Sequence, residues 1–289
     1  MKRIKDYQLF LESSDSIESI CKKYGITNYT INSDGTVDVD GDVNLYFKGL
    51  TKLPLKFRRV TGDFDCKNNK LTSLEGSPKE VGGSFACSKN QLTSLKGSPL
   101  SVGLQMLGYF DCRNNQLTSL EGCPKEVSGI FDCSRNQLTN LVGGPKEVGG
   151  HFNCYNNQLT SLEGSPKEVG GDFYCYNNQL TTLKGSPLSV GGYFSCSYNQ
   201  LTSLIGGPEV VIGDYYASSN QITSFEGFPD DFEGSEFDFT ENPVQDILDQ
   251  FPDNLLDKAI HLIIDYDAIW NGEIVPERLE MVKDKLGLS

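Results

Sequence analysis

Imidazole is scarce in this chain: His151 and His261 are its two histidines among 289 residues. Nothing beside Cys21 or Cys123 supplies a base and an orienting group, so no nucleophilic dyad or triad can be read. Long apolar runs are missing as well, and no stretch approaches the length of a membrane-spanning helix. The basic start, Met1-Lys2-Arg3-Ile4-Lys5-Asp6, is not followed by the apolar run of an ordinary signal peptide. Positive charge is short: 25 Lys and Arg stand against 39 Asp and Glu, a net charge of −14. Such a balance argues against a phosphate backbone as partner. Between residues 226 and 257 there are eleven acids and no Lys or Arg. These absences predict a cytoplasmic chain that is not an enzyme, needs no cofactor or metal, and contacts neither membrane nor nucleic acid directly.

What the chain has in abundance is one phrase, Phe-x-Cys-x-x-Asn-Gln-Leu-Thr-Ser-Leu, repeated between residues 64 and 204 and on into Phe225. Its cysteines fall at 66, 87, 112, 133, 154, 175 and 196, with Ala217 in the eighth slot; every step is 21 residues except one of 25. Self-similarity at a period near 20 residues means a solenoid, whose long surface makes binding the default function. Within a unit, Phe173 and Cys175 are two apart and share the inner face of a short strand. Asn178 turns the chain, Leu180 and Leu183 return to the core, and Gly185-Ser186-Pro187 breaks any helix on the far side. Stacked cysteines form a ladder of small apolar side chains, which fits a reducing compartment. The Asn column, from Asn69 to Asn220, has no exception, and its amides are expected to bond backbone groups of their own and neighbouring rungs. A degenerate first rung begins at Val43-Asn44-Leu45 and a last one runs through Phe237-Asp238-Phe239 to Asn242. About ten rungs at roughly 4.8 Å would span about 45 Å.

The pattern Phe173-x-Cys175-x-x-Asn178-x-Leu180-x-x-Leu183 resembles the leucine-rich repeat, with Phe and Cys in two Leu slots. The unit is most similar to the short bacterial class found in secreted effectors of enteric pathogens, and similar arrays occur in tailed phages. Val169-Gly170-Gly171 departs from that class where it replaces leucines before the strand. The resemblance implies a β-rich solenoid, an arc with a parallel concave sheet that binds proteins, closed by helical caps. Three parts are expected: an N-terminal cap of helix and hairpin over 1–42, the solenoid over 43–242, and a helical C-terminal cap over 243–289. The first cap helix is expected within residues 4–24, on Leu9, Phe10, Ile17 and Ile20. In the second cap, helices are expected over 243–251, then from Asp253 or Asn254 to Trp270, then from Pro276.

Two acidic motifs read as ordinary structure. Asp38-Val39-Asp40-Gly41-Asp42 lacks calcium-loop ligands at its first and last positions, Thr36 and Phe47, and reads as a half-buried strand. Asp265 and Asp267, two apart on a helix, point to different sides. The unbroken Thr column, from Thr72 to Thr223, belongs to the repeat pattern and not to a periodic ligand.

The rungs differ on their outward strand positions, and there the candidate site lies. One half is charged, with Asp111, Asp132 and Arg113. The other is aromatic, with Tyr155, Tyr174, Tyr176, Tyr193, Tyr198 and Tyr216 around His151. Clustered tyrosines on a rigid surface supply contact area at little entropic cost. The 25-residue step adds Leu104, Met106 and Leu107, an apolar bulge that needs a cover. The expected function is a protein-binding module, a phage or pathogen inhibitor that blocks or sequesters a host defence protein in the host cytoplasm. The rival readings are an acidic DNA mimic that occupies a nucleic-acid enzyme, and a structural or adhesive repeat protein.

Overall fold

The computed structural model describes residues 16–103 and 108–288. Each repeat pairs with its neighbours twice. Ten short strands, from Val43–Asn44 to Phe237–Asp238, stack in parallel and in sequence order into one sheet, here the Phe sheet. An eleven-stranded sheet runs along the other side of the coil. It opens with an antiparallel hairpin of Tyr29–Ile31 and Val37–Val39, then continues in parallel from Phe57–Val60 to Asp231–Phe232. The sequence reading assigns only the first of these sheets. The second is built by the Val-Gly-Gly segment that departs from the leucine-rich pattern: Glu168–Val169 pairs with Ser189–Val190, and each valine points inward. The following glycine turns the corner. A Cβ on Gly170 would lie 2.2 Å from the Gly149 carbonyl oxygen, so any side chain there would force the rungs apart.

Between the sheets the core is laid out in columns. The Phe rings from Phe64 to Phe194 stack at centroid distances of 5.3–5.7 Å. An edge-to-face ring closes the first end of the column, Phe57 on Phe64 at 5.2 Å, and at the other end Tyr215 continues it, tilted on Phe194 at 5.1 Å. Such pairs contribute about 0.5–1.5 kcal/mol each beyond their buried area. All nine cysteines are free and buried, and seven of them form the ladder beside the rings. Thiols at Cys133 and Cys175 donate to the next rung's carbonyls, Asn153 O at 3.4 Å and Ser195 O at 3.3 Å.

The Asn column does what the sequence predicts. Asn136 donates through Nδ2 to Cys133 O of its own rung at 3.0 Å and to Cys112 O of the previous rung at 3.2 Å. Its Oδ1 accepts the Leu117 N–H at 3.0 Å. The same pattern runs from Asn69 to Asn242. The residue before each of these asparagines holds a left-handed backbone, φ 53–57° from Asn68 to Glu241. That turn lets the amide reach backward across the stack.

The ends close with helices. Ile17–Tyr24 is capped by Ser16, whose Oγ accepts the Ser19 N–H, and by Gly25 at φ 68°. Leu9 and Phe10 lie outside the described residues. At the other end the helix expected over 243–251 is a single turn, Gln245–Leu248. The next, Leu256–Asp265, stops short of Trp270. Asn271-Gly272, with φ 52° and 78°, instead turns Ile269–Trp270 back onto Glu273–Ile274 as a hairpin. Pro276–Leu286 begins on its proline as expected. The acids of the calcium-like motif are engaged within the fold: the Arg58 guanidinium forks onto Asp38, Thr61 Oγ1 donates to Asp40 at 2.9 Å, and the Asp63 N–H donates to Asp42 at 2.8 Å.

Candidate binding face

The outward side of the Phe sheet takes its shape from register. Because the pairing is strictly by repeat, Tyr174 lies opposite Ser195, and Ser195 opposite Tyr216. Likewise Ala86 separates Asp65 from Asp111. Large groups therefore alternate with small ones, and the serines at 195 and 197 are buried beneath their neighbours.

The tyrosines fall into two groups. Tyr155 and Tyr176 stack at 4.6 Å with planes 6° apart, and Tyr174 meets Tyr176 edge-on at 6.2 Å. Tyr193 meets Tyr216 edge-on at 6.1 Å. Two phenols are tied to corner aspartates: Tyr174 Oη donates to Asp172 Oδ2 at 2.9 Å, and Tyr216 Oη to Asp214 Oδ2 at 3.2 Å. Burial, and then the bonded carboxylate, push both phenols above the ordinary tyrosine value. The same aspartates brace the next rung, Asp172 Oδ1 accepting the Tyr193 N–H and Asp214 Oδ1 the N–H groups of Ser235 and Glu236. His151 accepts the Asp172 N–H on Nδ1 at 2.9 Å, which places the proton of the neutral ring on Nε2. Tyr198 stands one column over, 61% exposed at φ 56°.

The charged half is arranged differently. Arg113 lies 3.5 Å from Asp111 Oδ1 and 3.4 Å from Asp132 Oδ2. Ser88 Oγ donates to Asp111 at 2.8 Å and Ser134 Oγ to Asp132 at 2.6 Å. Both carboxylates are buried, and burial raises Asp111 above the usual carboxylate range. Lys67 pairs with Asp65 at 3.2 Å. These acids are satisfied within the sheet, whereas the tyrosines present ring surface outward.

Leu104, Met106 and Leu107 lie outside the described residues. The insertion leaves and re-enters at one point, since a Cβ on Gly108 would come within 2.6 Å of Gly103 Cα. Register is kept across it, Phe85 opposite Phe110. Two further exposed side chains share the face, Tyr109 and Ile130, in the column that also carries Tyr193. A groove of about 1200 Å³ also crosses the other sheet, lined by Lys146, Glu147, Lys167 and Glu168 among others. The recurring Lys-Glu-Val-Gly-Gly, as at residues 146–150 and 167–171, is its signal in the sequence.

No helix among the described residues is long and apolar enough to cross a membrane. No family model matches the chain, and no curated protein does. Among solved structures the chain is similar to YopM, a leucine-rich effector protein from Yersinia pestis, at 21% identity and a TM-score of 0.48, covering 70% of this chain and 60% of that one.

Proposed function

We propose that this chain is a protein-binding scaffold without chemistry of its own, and that it grips its partner on the tyrosine half of the Phe-sheet face. The observation that carries this reading is the presentation of the rings. Tyr155 and Tyr176 stack on adjacent rungs of a rigid ladder, and Tyr193 and Tyr198 stand exposed beside them. Rings held this way lose little freedom on binding. The buried thiols do not favour a nucleophilic reading, because burial keeps them protonated; Cys123, outside the ladder, is pushed up to about 12. The finer reading is that the partner is a host protein, blocked or sequestered in the host cytoplasm by a phage or pathogen inhibitor. The likeness of the repeat unit to effector repeats supports it.

Affinity capture from bacterial lysates tests the reading, comparing the native chain with Tyr155→Ala/Tyr174→Ala/Tyr176→Ala. The expected result is a protein retained by the native chain and lost by the folded variant; equal retention would move the site off this patch. Tyr198 gives a second readout. A bulky residue in the left-handed region costs about 1 kcal/mol or more, and at 61% exposure little burial offsets it. Asparagine occupies the same place at 68, 114, 156 and 177. Tyr198→Asn is therefore expected to raise stability by about 1 kcal/mol in urea titration while weakening capture. A variant that loses stability would show that Tyr198 is held by packing.

A further inference from the structure

The tyrosine end of the face is unlike the rest in charge. From His151 onward its outward columns carry Asp172, Asp214, Glu236, Asp238 and Glu241, and no Lys or Arg. In the charged half, by contrast, Lys67 and Arg113 already sit on the acids beside them. Among the described residues Asp172 and Asp214 pair with no lysine or arginine; their hydrogen bonds are to phenols and backbone N–H groups. Neither carboxylate is thus met by a lysine or arginine, and each draws the O–H of a tyrosine toward itself, which leaves that ring richer in electrons. Resting on the reading of this face as a protein-binding surface, we propose that its tyrosine end receives an arginine-bearing segment of the partner.

The chemistry selects the guanidinium. It is planar, stacks on aromatic faces, and gives up its hydration more readily than an ammonium group. Two acid–tyrosine units, Asp172 with Tyr174 and Asp214 with Tyr216, stand two rungs apart, about 10 Å at the spacing of paired strands. The segment would therefore place two cationic side chains at about that separation. Its charge would also be steered by the field of a chain with net charge −14. General attraction of this kind would favour lysine as much as arginine.

Oligoarginine, oligolysine and neutral oligocitrulline peptides of equal length would be titrated calorimetrically into the full chain near physiological ionic strength. Oligoarginine is expected to bind at least about fivefold tighter than oligolysine, and oligocitrulline not measurably. Asp172→Asn/Asp214→Asn should weaken oligoarginine about tenfold or more. Asparagine can still accept the backbone N–H bonds at both places, and a urea midpoint would check the fold. Tyr174→Phe/Tyr216→Phe, which keeps the rings and releases the carboxylates, should weaken it less. Asp230→Asn/Asp231→Asn, where Asp231 belongs to the other sheet, should leave it within about twofold. Equal losses in the two aspartate pairs, or no preference for arginine, would overturn the proposal. Capture of a protein that survives Asp172→Asn/Asp214→Asn but fails with the tyrosine variant would sink the arginine inference alone. Capture unaffected by either would sink the binding face itself.

Discussion

Raising the pH past the ordinary thiol value is expected to unfold this protein cooperatively, between about pH 9 and 11. The cause is the cysteine ladder. In the folded chain the seven ladder thiols are fully buried, and burial holds those of Cys87, Cys112, Cys133, Cys154 and Cys175 well above their ordinary value of 9.0. Cys66 is raised in the same way, and Cys196 is pushed up to about 12. The unfolded chain exposes all of them, and they ionise near 9.0. Below that pH both states hold the same thiol protons, and the ladder's contribution is complete. Above it the native state holds up to seven protons that the unfolded state has released, so stability falls as pH rises. Each such group costs about 1.4 kcal/mol per pH unit, so seven cost roughly 10 kcal/mol per unit. Total stability of a folded chain is on the order of 5–15 kcal/mol. The ladder would exhaust it within about one to two pH units.

Circular dichroism against pH under reductant measures the midpoint. Ala217 shows that alanine fits the slot, so Cys112→Ala/Cys133→Ala/Cys154→Ala provides the comparison. Removing three of the seven thiols should lessen the ladder's part of the pH slope by about two-fifths and move the midpoint upward relative to the stability at neutral pH. The growing negative charge of the whole chain acts on both proteins alike. A slope unchanged by the triple substitution would mean that the ladder does not set the alkaline limit.

Asn136→Ala is expected to cost about 2–4 kcal/mol. The change strands the buried Leu117 N–H and removes one of the two amide donors on each of the Cys112 and Cys133 carbonyls, which keep Asn115 and Asn157. An unpartnered N–H costs roughly 1–3 kcal/mol, and each lost bond to a carbonyl that keeps another donor about 0.5–1 kcal/mol more. The position is central, and a solenoid's stability rests on each interface between neighbouring rungs. The adjacent Gln137 is exposed, and Gln137→Ala should stay within about 0.5 kcal/mol. Urea midpoints for both variants would decide it; similar small losses would show that the amide column is decoration on a core that holds by packing alone.

Repetition explains how much of this molecule could be read beforehand. With one residue type recurring every 21 positions, the Phe, Cys, Asn and Leu columns were legible as stacked interior, and register followed from spacing. The second sheet was not. Its strands, such as Glu168–Val169, are two residues long and followed by two glycines, too short for alternation to appear. Trp270 is expected to end an apolar helix, but the Asn271-Gly272 turn signal just beyond it folds Ile269–Trp270 back as a hairpin. At the candidate site the tyrosine column could be seen, but the burial of Asp111 and Asp132 could not. That burial depends on small neighbours, Ser88 and Ser134, and on Arg113 folding across two rungs, which no single column reveals.

The choice of face can be read from one experiment. A photo-crosslinking amino acid would be placed at position 193 on the Phe sheet or, in a second protein, at position 147 in the groove of the other sheet. Both would be irradiated in cells where the chain captures its partner. Adducts from 193 and none from 147 are expected. Adducts from 147 alone would place the partner in the opposite groove and contradict the tyrosine face as the binding surface.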